Sequence, residues 1–231
     1  MPLLFATLLA LPALGQAQNT KPKRPNPMAP IRDVAGLPRV LLIGDSISIG
    51  YTLPTRELLR GKANVHRIPT NGGPTIRGLV QIDSWLGDGK WDVIHFNWGL
   101  WDLCYRHPQS KVQGRRDKER GTLTISLAQY EKNLDQLAAR LKKTKAKLIW
   151  AHTTTVPKGE AGRKVGDDDK YNEAAARVMK KHGIEINDLN ALTDSFPPEL
   201  FTAPGNVHFK TEGSKKLGQT VAEKITEALG R

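Results

Sequence analysis

Ser46 and His208 lie far apart in the sequence, but their side chains support one kind of chemistry. Ser46 follows the apolar run 40–43 and Gly44, so a buried strand would end in a turn that presents the hydroxyl. Reacting groups gather at the carboxyl ends of strands in open parallel sheets. His208 precedes the helix-start residue Thr211. An imidazole, with a pKa of about 6.5, is suited to act as a base. The pair predicts acyl transfer by an activated serine.

Two further segments are predicted to reach the same sheet edge. Asn71–Thr75, with a glycine pair, follows the second predicted strand, and a glycine N–H there can approach a substrate oxygen closely; an ordinary tight turn is the alternative. Asn97, Trp101 and Asp102 end the third strand and are candidates to face a cleft, although a tryptophan beside a strand end is often part of the core.

The remaining histidines are weaker candidates for a base. His95 and His152 are near predicted strands, where satisfied core groups are expected. His182 is near a helix C-terminus, where the helix dipole favours a cation.

Strand-like and helix-like segments alternate along the chain, which predicts one α/β domain with a parallel sheet covered on both faces. The predicted strands are 40–43, 64–68, 92–97, 147–151 and 184–187, and the predicted helices are 52–60, 76–86, 127–143, 168–182 and 211–229. The polar, arginine-rich stretch 105–124 is too long for an ordinary connector and is interpreted as a functional loop or an insertion.

The composition limits the possible partners. The formal net charge is +12, but the lysines are scattered over predicted helices, where a solvated outer face is expected, so no nucleic-acid partner is predicted. Attraction to acidic cell-wall or glycan surfaces is the alternative interpretation. Cys104 is the single cysteine and cannot form an internal disulfide.

The first residues predict export. Residues 1–17 carry no charged side chain and end in a small-x-small pattern, as in a signal peptide. A membrane anchor is the alternative, but the apolar run is shorter than the roughly 20 residues of a spanning helix. A flexible leader is expected over 18–36 and the folded domain over 37–231. The predicted location is secreted or periplasmic, without stable membrane insertion.

Taken together, four segments resemble the SGNH or GDSL hydrolase family: Gly44-Asp45-Ser46, Gly72-Gly73, Gly99-Leu100-Trp101-Asp102 and Val207-His208. The resemblance implies a three-layer α/β/α sandwich with a five-stranded, mostly parallel, flavodoxin-like sheet. It implies that Ser46 is the nucleophile and His208 the base. The N–H groups of Ser46 and Gly73 would form the oxyanion hole, with Asp45 and Asp102 in supporting roles.

The chain departs from the family pattern at two positions. Trp101 stands where the family usually has an asparagine that donates to the oxyanion, so that donor is the indole N–H, Asn97, or absent. Gly205 stands where the family usually has the aspartate that orients the histidine, with Asn206 beside it. A backbone carbonyl, Asp188 or Asp102 is the expected replacement.

The sequence thus predicts an exported carboxylic-ester hydrolase that removes a short acyl group, such as acetyl, from a carbohydrate. Lysophospholipase or thioesterase activity on the same scaffold is an alternative. A non-catalytic glycan-binding protein is the alternative from another class. No metal and no organic cofactor is predicted, the expected partner is a small-molecule or glycan ester, and the oligomeric state is left open.

Overall fold

A computed structural model describes residues 25–230. The predicted signal peptide, 1–17, and the first part of the predicted leader, 18–24, lie outside these residues. Within 25–36 the chain makes specific contacts with the domain. Val34 N–H donates to Asn64 Oδ1 at 2.9 Å, and the Asn64 amide donates back to Val34 O at 3.0 Å. An Arg56 guanidinium N–H also donates to the carbonyl oxygen of Ala29 at 3.3 Å.

Seven strands and six α-helices form the described part of the chain. The strands are β1 (Arg39–Ile43), β2 (Asn64–Arg67), β3 (Val93–Phe96), β4 (Tyr105–Arg106), β5 (Thr122–Leu123), β6 (Lys147–Ala151) and β7 (Glu185–Asn187). The helices are α1 (Ser46–Leu58), α2 (Thr75–Leu86), α3 (Leu127–Lys142), α4 (Asp167–His182), α5 (Leu189–Asp194) and α6 (Thr211–Ala228).

Five of the strands form one parallel sheet in the order β2-β1-β3-β6-β7. This is the flavodoxin-like order, in which the strand order reverses beside β1. Helix α1 packs against α6, while α3 packs between α2 and α4, so two helical layers enclose the sheet. The predicted three-layer α/β/α architecture is confirmed.

The carboxyl edge of the sheet differs from the predicted elements in two places. Helix α1 begins at Ser46 and not at 52, because the Asp45 side chain caps it by accepting from Ile47 N at 2.9 Å. Within the stretch 105–124, interpreted as a functional loop or an insertion, β4 and β5 are two further strands and pair antiparallel. Both differences concern segments that border Ser46.

The first and last helices approach each other closely. A Cβ atom added at Gly218 of α6 would lie 2.6 Å from Cβ of Pro54 in α1. The Thr55 hydroxyl donates to Gly218 O at 3.4 Å across the same contact. A glycine at this position therefore sets the spacing between the two helices.

No helix within residues 25–230 is long and apolar enough to cross a membrane.

Candidate active site

Ser46 is held at the end of β1 by contacts from the neighbouring strand and turn. Gly72 N–H donates to Gly44 O at 2.9 Å. A Cβ at Gly72 would lie 2.9 Å from the same oxygen, so only glycine allows this approach. The Arg67 guanidinium donates to the carbonyls of Gly44 and Asp45 at 3.1 and 3.0 Å. The backbone before Ser46 is fixed from two sides.

Ser46 and His208 are in direct contact. Ser46 Oγ lies 2.8 Å from His208 Nε2, although 162 residues separate them in the sequence. Both side chains are partly buried and open to the same cleft. The two residues that the sequence selected are therefore brought together at hydrogen-bond distance.

Asn206 orients the imidazole. Its Oδ1 lies 2.8 Å from His208 Nδ1 and accepts from His208 N at 3.0 Å. Because a backbone N–H can only donate, that second bond identifies the side-chain atom as the amide oxygen. Nδ1 therefore carries a hydrogen, and Nε2 is the acceptor for the Ser46 hydroxyl.

The carboxylates proposed for this orienting role are elsewhere. Asp188 Oδ1 lies 3.1 Å from His152 Nδ1 and accepts from Ala191 N at the start of α5. Asp102 is buried and accepts from the backbone N–H of Thr75 at 2.9 Å. Burial raises the pKa of Asp102 to about 7. Neither aspartate forms a hydrogen bond to His208, so both expectations were wrong.

Gly205 adopts a left-handed conformation that excludes the usual aspartate. Its φ is +66°, and a Cβ there would lie 2.6 Å from the carbonyl oxygen of Gly159. A side chain at 205 would thus clash with backbone as well as strain its own dihedral angles. The chain carries the orienting group one residue later, at Asn206. That asparagine, two residues before the histidine, was the available sequence signal.

Asp45 comes directly before Ser46, caps α1 and forms no hydrogen bond with His208. It is buried, and its carboxylate accepts from Ile47 N. Burial is the main cause that raises its pKa, and the Ile47 bond and nearby arginines lower it. For His208, burial is the main cause that lowers the pKa, followed by the opposing attraction of Asp45 and by repulsion from Arg163 and Arg116.

The candidate oxyanion donors differ in availability. Ser46 is the first residue of α1, so its N–H is among the helix-terminal donors without an intrahelical acceptor. Gly73 N–H donates to Asn71 Oδ1 at 2.9 Å. The Asn97 amide donates to Ala151 O at 2.7 Å and is not in the cleft of Ser46. The side chains of Trp101 and Asn71 both line that cleft.

The cleft has a volume of about 230 Å³ and is more basic than the sequence analysis anticipated. Arg106, Arg116 and Arg163 line it together with Ser46 and His208. Sequence reasoning missed all three arginines, although two of them belong to the arginine-rich stretch 105–124. Arg163 is buried and follows the fully buried Glu160 by three residues.

Two of the histidines that the sequence offered as weaker candidates for a base lie outside the cleft of Ser46, and two tryptophans belong to the core. Trp85 and Trp98 are buried in the core. His95 is fully buried, which lowers its pKa to about 3. His182 Nε2 lies 2.7 Å from Asp135 Oδ1. Within residues 25–230 no cluster of three His, Cys, Asp or Glu side chains is arranged to hold a metal ion.

Comparisons with solved structures give the fold independently. An acetyl xylan esterase, AlAXEase, aligns with a TM-score of 0.65 at 15% identity, covering 81% of this chain and 99% of that one. A lipase/acylhydrolase from Enterococcus faecalis aligns with 0.65 at 18% identity, covering 83% and 96%. A protein from Slackia heliotrinireducens named as an SGNH hydrolase aligns with 0.57 at 18%, covering 82% and 99%.

No protein-family model matches the sequence. No curated protein matches it either. The structural likeness therefore establishes that the chain has the SGNH hydrolase fold, in agreement with the four sequence segments that resemble that family.

Proposed function

We propose that this protein is a serine carboxylic-ester hydrolase of the SGNH type that removes short acyl groups, acetyl above all, from carbohydrate esters. The observation that carries the proposal is the continuous set of hydrogen bonds from Ser46 through His208 to Asn206. The structural neighbours, which include an acetyl xylan esterase, support the ester class.

The proposed reaction begins with attack by Ser46 Oγ on the ester carbonyl carbon while His208 Nε2 takes the hydroxyl proton. The carbonyl oxygen becomes an oxyanion beside the helix N-terminus that holds Ser46 N–H. Collapse breaks the bond to the alcohol oxygen, which receives the proton from His208. Water then repeats these steps on the acyl-enzyme, releasing the acid and restoring Ser46.

The Asn71 amide is a second candidate oxyanion donor. Its Oδ1 is occupied by Gly73 N–H, which fixes the side chain, and the amide lines the cleft. An amide N–H there would perform the task that the family assigns to the asparagine replaced by Trp101. Gly73 N–H would contribute only if Asn71 turned away.

Asn206 fixes the imidazole tautomer but brings no charge. An aspartate would also stabilise the imidazolium that forms during attack. In this chain the buried Asp45 is the carboxyl group that acts on His208 through space, and it favours the charged imidazole. Orientation and charge, which one aspartate usually supplies, are divided between two residues.

The cleft favours a short acyl group. Its volume of about 230 Å³ is below the roughly 300–1,000 Å³ of pockets that enclose drug-sized ligands. Lysophospholipids and long-chain thioesters would extend beyond it. The predicted export through residues 1–17 would bring the enzyme to extracellular or periplasmic carbohydrates.

The test is hydrolysis of p-nitrophenyl acetate by the full chain, by Ser46→Ala, and by Ser195→Ala as the control. Ser195 is exposed, and its hydroxyl donates to the local carbonyl of Leu192 at 2.7 Å. The proposal expects loss of at least roughly 10³-fold in kcat/KM for Ser46→Ala alone. A fluorophosphonate probe should label Ser46. An unlabelled, inactive parent chain would favour the non-catalytic glycan-binding alternative.

The substrate is tested separately with acetylated xylo-oligosaccharides, a lysophospholipid and an acyl thioester. Acetate release that exceeds turnover of the other two would support carbohydrate deacetylation. Faster turnover of the lipid or thioester would replace the carbohydrate part of the proposal and leave the serine mechanism intact.

A further inference from the structure

Three arginines from two segments line the cleft together with Ser46 and His208. Arg106 and Arg116 belong to the stretch 105–124, where their backbones form an antiparallel bridge. Arg163 comes from the loop before α4, and its Nε donates to Leu100 O at 2.7 Å. All three line the same space as Ser46 Oγ and His208.

The carboxylate of Glu160 neutralises only part of the positive charge of these three arginines. Glu160 Oε1 accepts from Arg116 at 2.6 Å and from Arg163 at 2.8 Å. Its Oε2 accepts from Gly162 N at 2.6 Å, so both oxygens are engaged. Asp45 also lines the cleft, but its carboxylate caps α1. Even with Glu160 and Asp45 both ionised, three guanidinium groups leave an excess positive charge.

Arg106 is the arginine available to a ligand. One guanidinium N–H donates to Gly114 O, and the carbon of the guanidinium lies 4.6 Å from the centre of the Trp101 ring. Among residues 25–230 it has no ion-pair partner. The stacked ring fixes the plane of the guanidinium, and a planar guanidinium binds carboxylates through two parallel hydrogen bonds.

We propose that the Arg106–Trp101 pair, backed by Arg116 and Arg163, is a specificity site for an anionic group, a carboxylate, carried by the ester substrate. This inference rests on the proposed function and narrows its substrate class to negatively charged esters. The carboxylate belongs either to the alcohol part, as in an acidic sugar, or to the acyl part, as in a dicarboxylic half-ester. Both present the same chemistry to Arg106.

The experiment compares matched charged and neutral esters with the full chain at about pH 7, where carboxylates are ionised. On the acyl side the pair is mono-4-nitrophenyl fumarate and 4-nitrophenyl crotonate, because the trans carboxylate of the fumarate ester cannot attack its own ester carbonyl. On the alcohol side it is 4-acetoxybenzoate and 4-acetoxybenzamide. Each kcat/KM is divided by the spontaneous hydrolysis rate of that ester, and the charged-to-neutral ratio is the readout. Inactive protein cancels in this ratio.

The expected ratio is at least about tenfold on one side, the size of one hydrogen bond to a charged group. It should fall by about the same factor in Arg106→Gln and in about 0.5 M NaCl, and less in Arg106→Lys. Arg115→Gln is the control, because Arg115 carries the same charge in the same segment but does not line the cleft. That variant should keep both rates within about twofold.

The outcomes separate this inference from the proposed function. Ser46-dependent hydrolysis with a ratio near one on both sides, or a ratio unchanged in Arg106→Gln, overturns the anionic site and keeps the esterase. If no ester is hydrolysed, the esterase proposal fails, and calorimetry with Ser46→Ala decides the inference. Tighter binding of 4-acetoxybenzoate than of 4-acetoxybenzamide supports it, and equal or absent binding overturns it.

Discussion

Two histidines at the carboxyl edge of the sheet have side-chain oxygen partners, and they differ in what lies on the other side of the ring. His152 Nδ1 lies 3.1 Å from the carboxylate of Asp188, and its buried Nε2 has no hydrogen-bond partner among residues 25–230. His208 Nδ1 faces only an amide, but its Nε2 lies 2.8 Å from Ser46 Oγ.

This comparison shows that an acidic partner is not what places a histidine beside Ser46. His152 follows β6, and Asp188 follows β7, at the far side of the sheet from β1. His208 lies in the segment before α6 and reaches the end of β1, where Ser46 lies. Position relative to Ser46 distinguishes the two sites, and the nature of the orienting oxygen is secondary.

The largest effect should separate the two histidines. His208→Gln removes the base, and we expect kcat for p-nitrophenyl acetate to fall by roughly 10²–10⁴-fold. His152→Gln should leave kcat within about threefold, since its ring does not line the cleft of Ser46. Steady-state kinetics measures kcat for both variants, and their melting temperatures serve as the folding control. Similar losses of kcat in the two variants would contradict the distinction between the two histidines.

Restoring the family aspartate at its usual place should also be damaging. Gly205→Asp would place Cβ against the Gly159 carbonyl and force a side chain into a positive φ. We expect activity to fall by more than about tenfold and stability by about 1–3 kcal/mol.

Gly205→Ala and Gly36→Ala form the matched pair for that effect. Gly36 has a φ of +79° with nothing within 4 Å of a built Cβ, so it isolates the dihedral strain. Urea unfolding gives the loss of stability in each variant. If Gly205→Ala loses no more stability than Gly36→Ala, the backbone at Gly159 moves away from the added Cβ at little cost.

Two substitutions of Asn206 separate two effects. One tests the tautomer of the His208 imidazole, and the other tests the pH profile of the activity. Asn206→Ala leaves Nδ1 without its acceptor, and we expect kcat/KM to fall roughly 10–100-fold. Asn206→Asp keeps the acceptor and adds a charge that raises the pKa of His208.

The sign of the pH effect follows from the need for a neutral base. In the native chain burial lowers the pKa of His208 below its ordinary value, so activity should persist at pH values where a free histidine is protonated. In Asn206→Asp the acidic limb of kcat/KM should move to higher pH, and turnover on the alkaline side should rise. If the acidic limb of kcat/KM stays at the same pH in Asn206→Asp, protonation of His208 does not cause that limb.

We expect the smallest effect at the pair formed by His152 and Asp188. Asp188→Asn keeps an oxygen that can cap α5 and face His152, so stability should change by less than about 1 kcal/mol. Activity should stay within about twofold. A large loss of activity, measured under the same conditions as for the Asn206 variants, would show that this region also supports the site.

The sequence predicted the sheet and selected Ser46 and His208 because both leave local signals. Apolar runs such as 40–43 mark buried strands, and glycines mark the turns after them. Asn206 was passed over because the family pattern directed attention to position 205, and only the backbone conformation at Gly205 explains the shift. The grouping of Arg106 with Arg163 depends on how two distant loops fold together, which no local pattern records.

The contact between Pro54 and Gly218 has a consequence for when this chain can first become active. Ser46 opens the first helix, and His208 stands just before the last, so their meeting depends on the closure of those two helices. Ser46 lacks His208, its proposed base, while the C-terminal segment is still held in the ribosome. The same holds after a protease has removed that segment. The proposed hydrolytic activity would therefore report that the segment carrying His208 has been synthesised and that the two helices have closed.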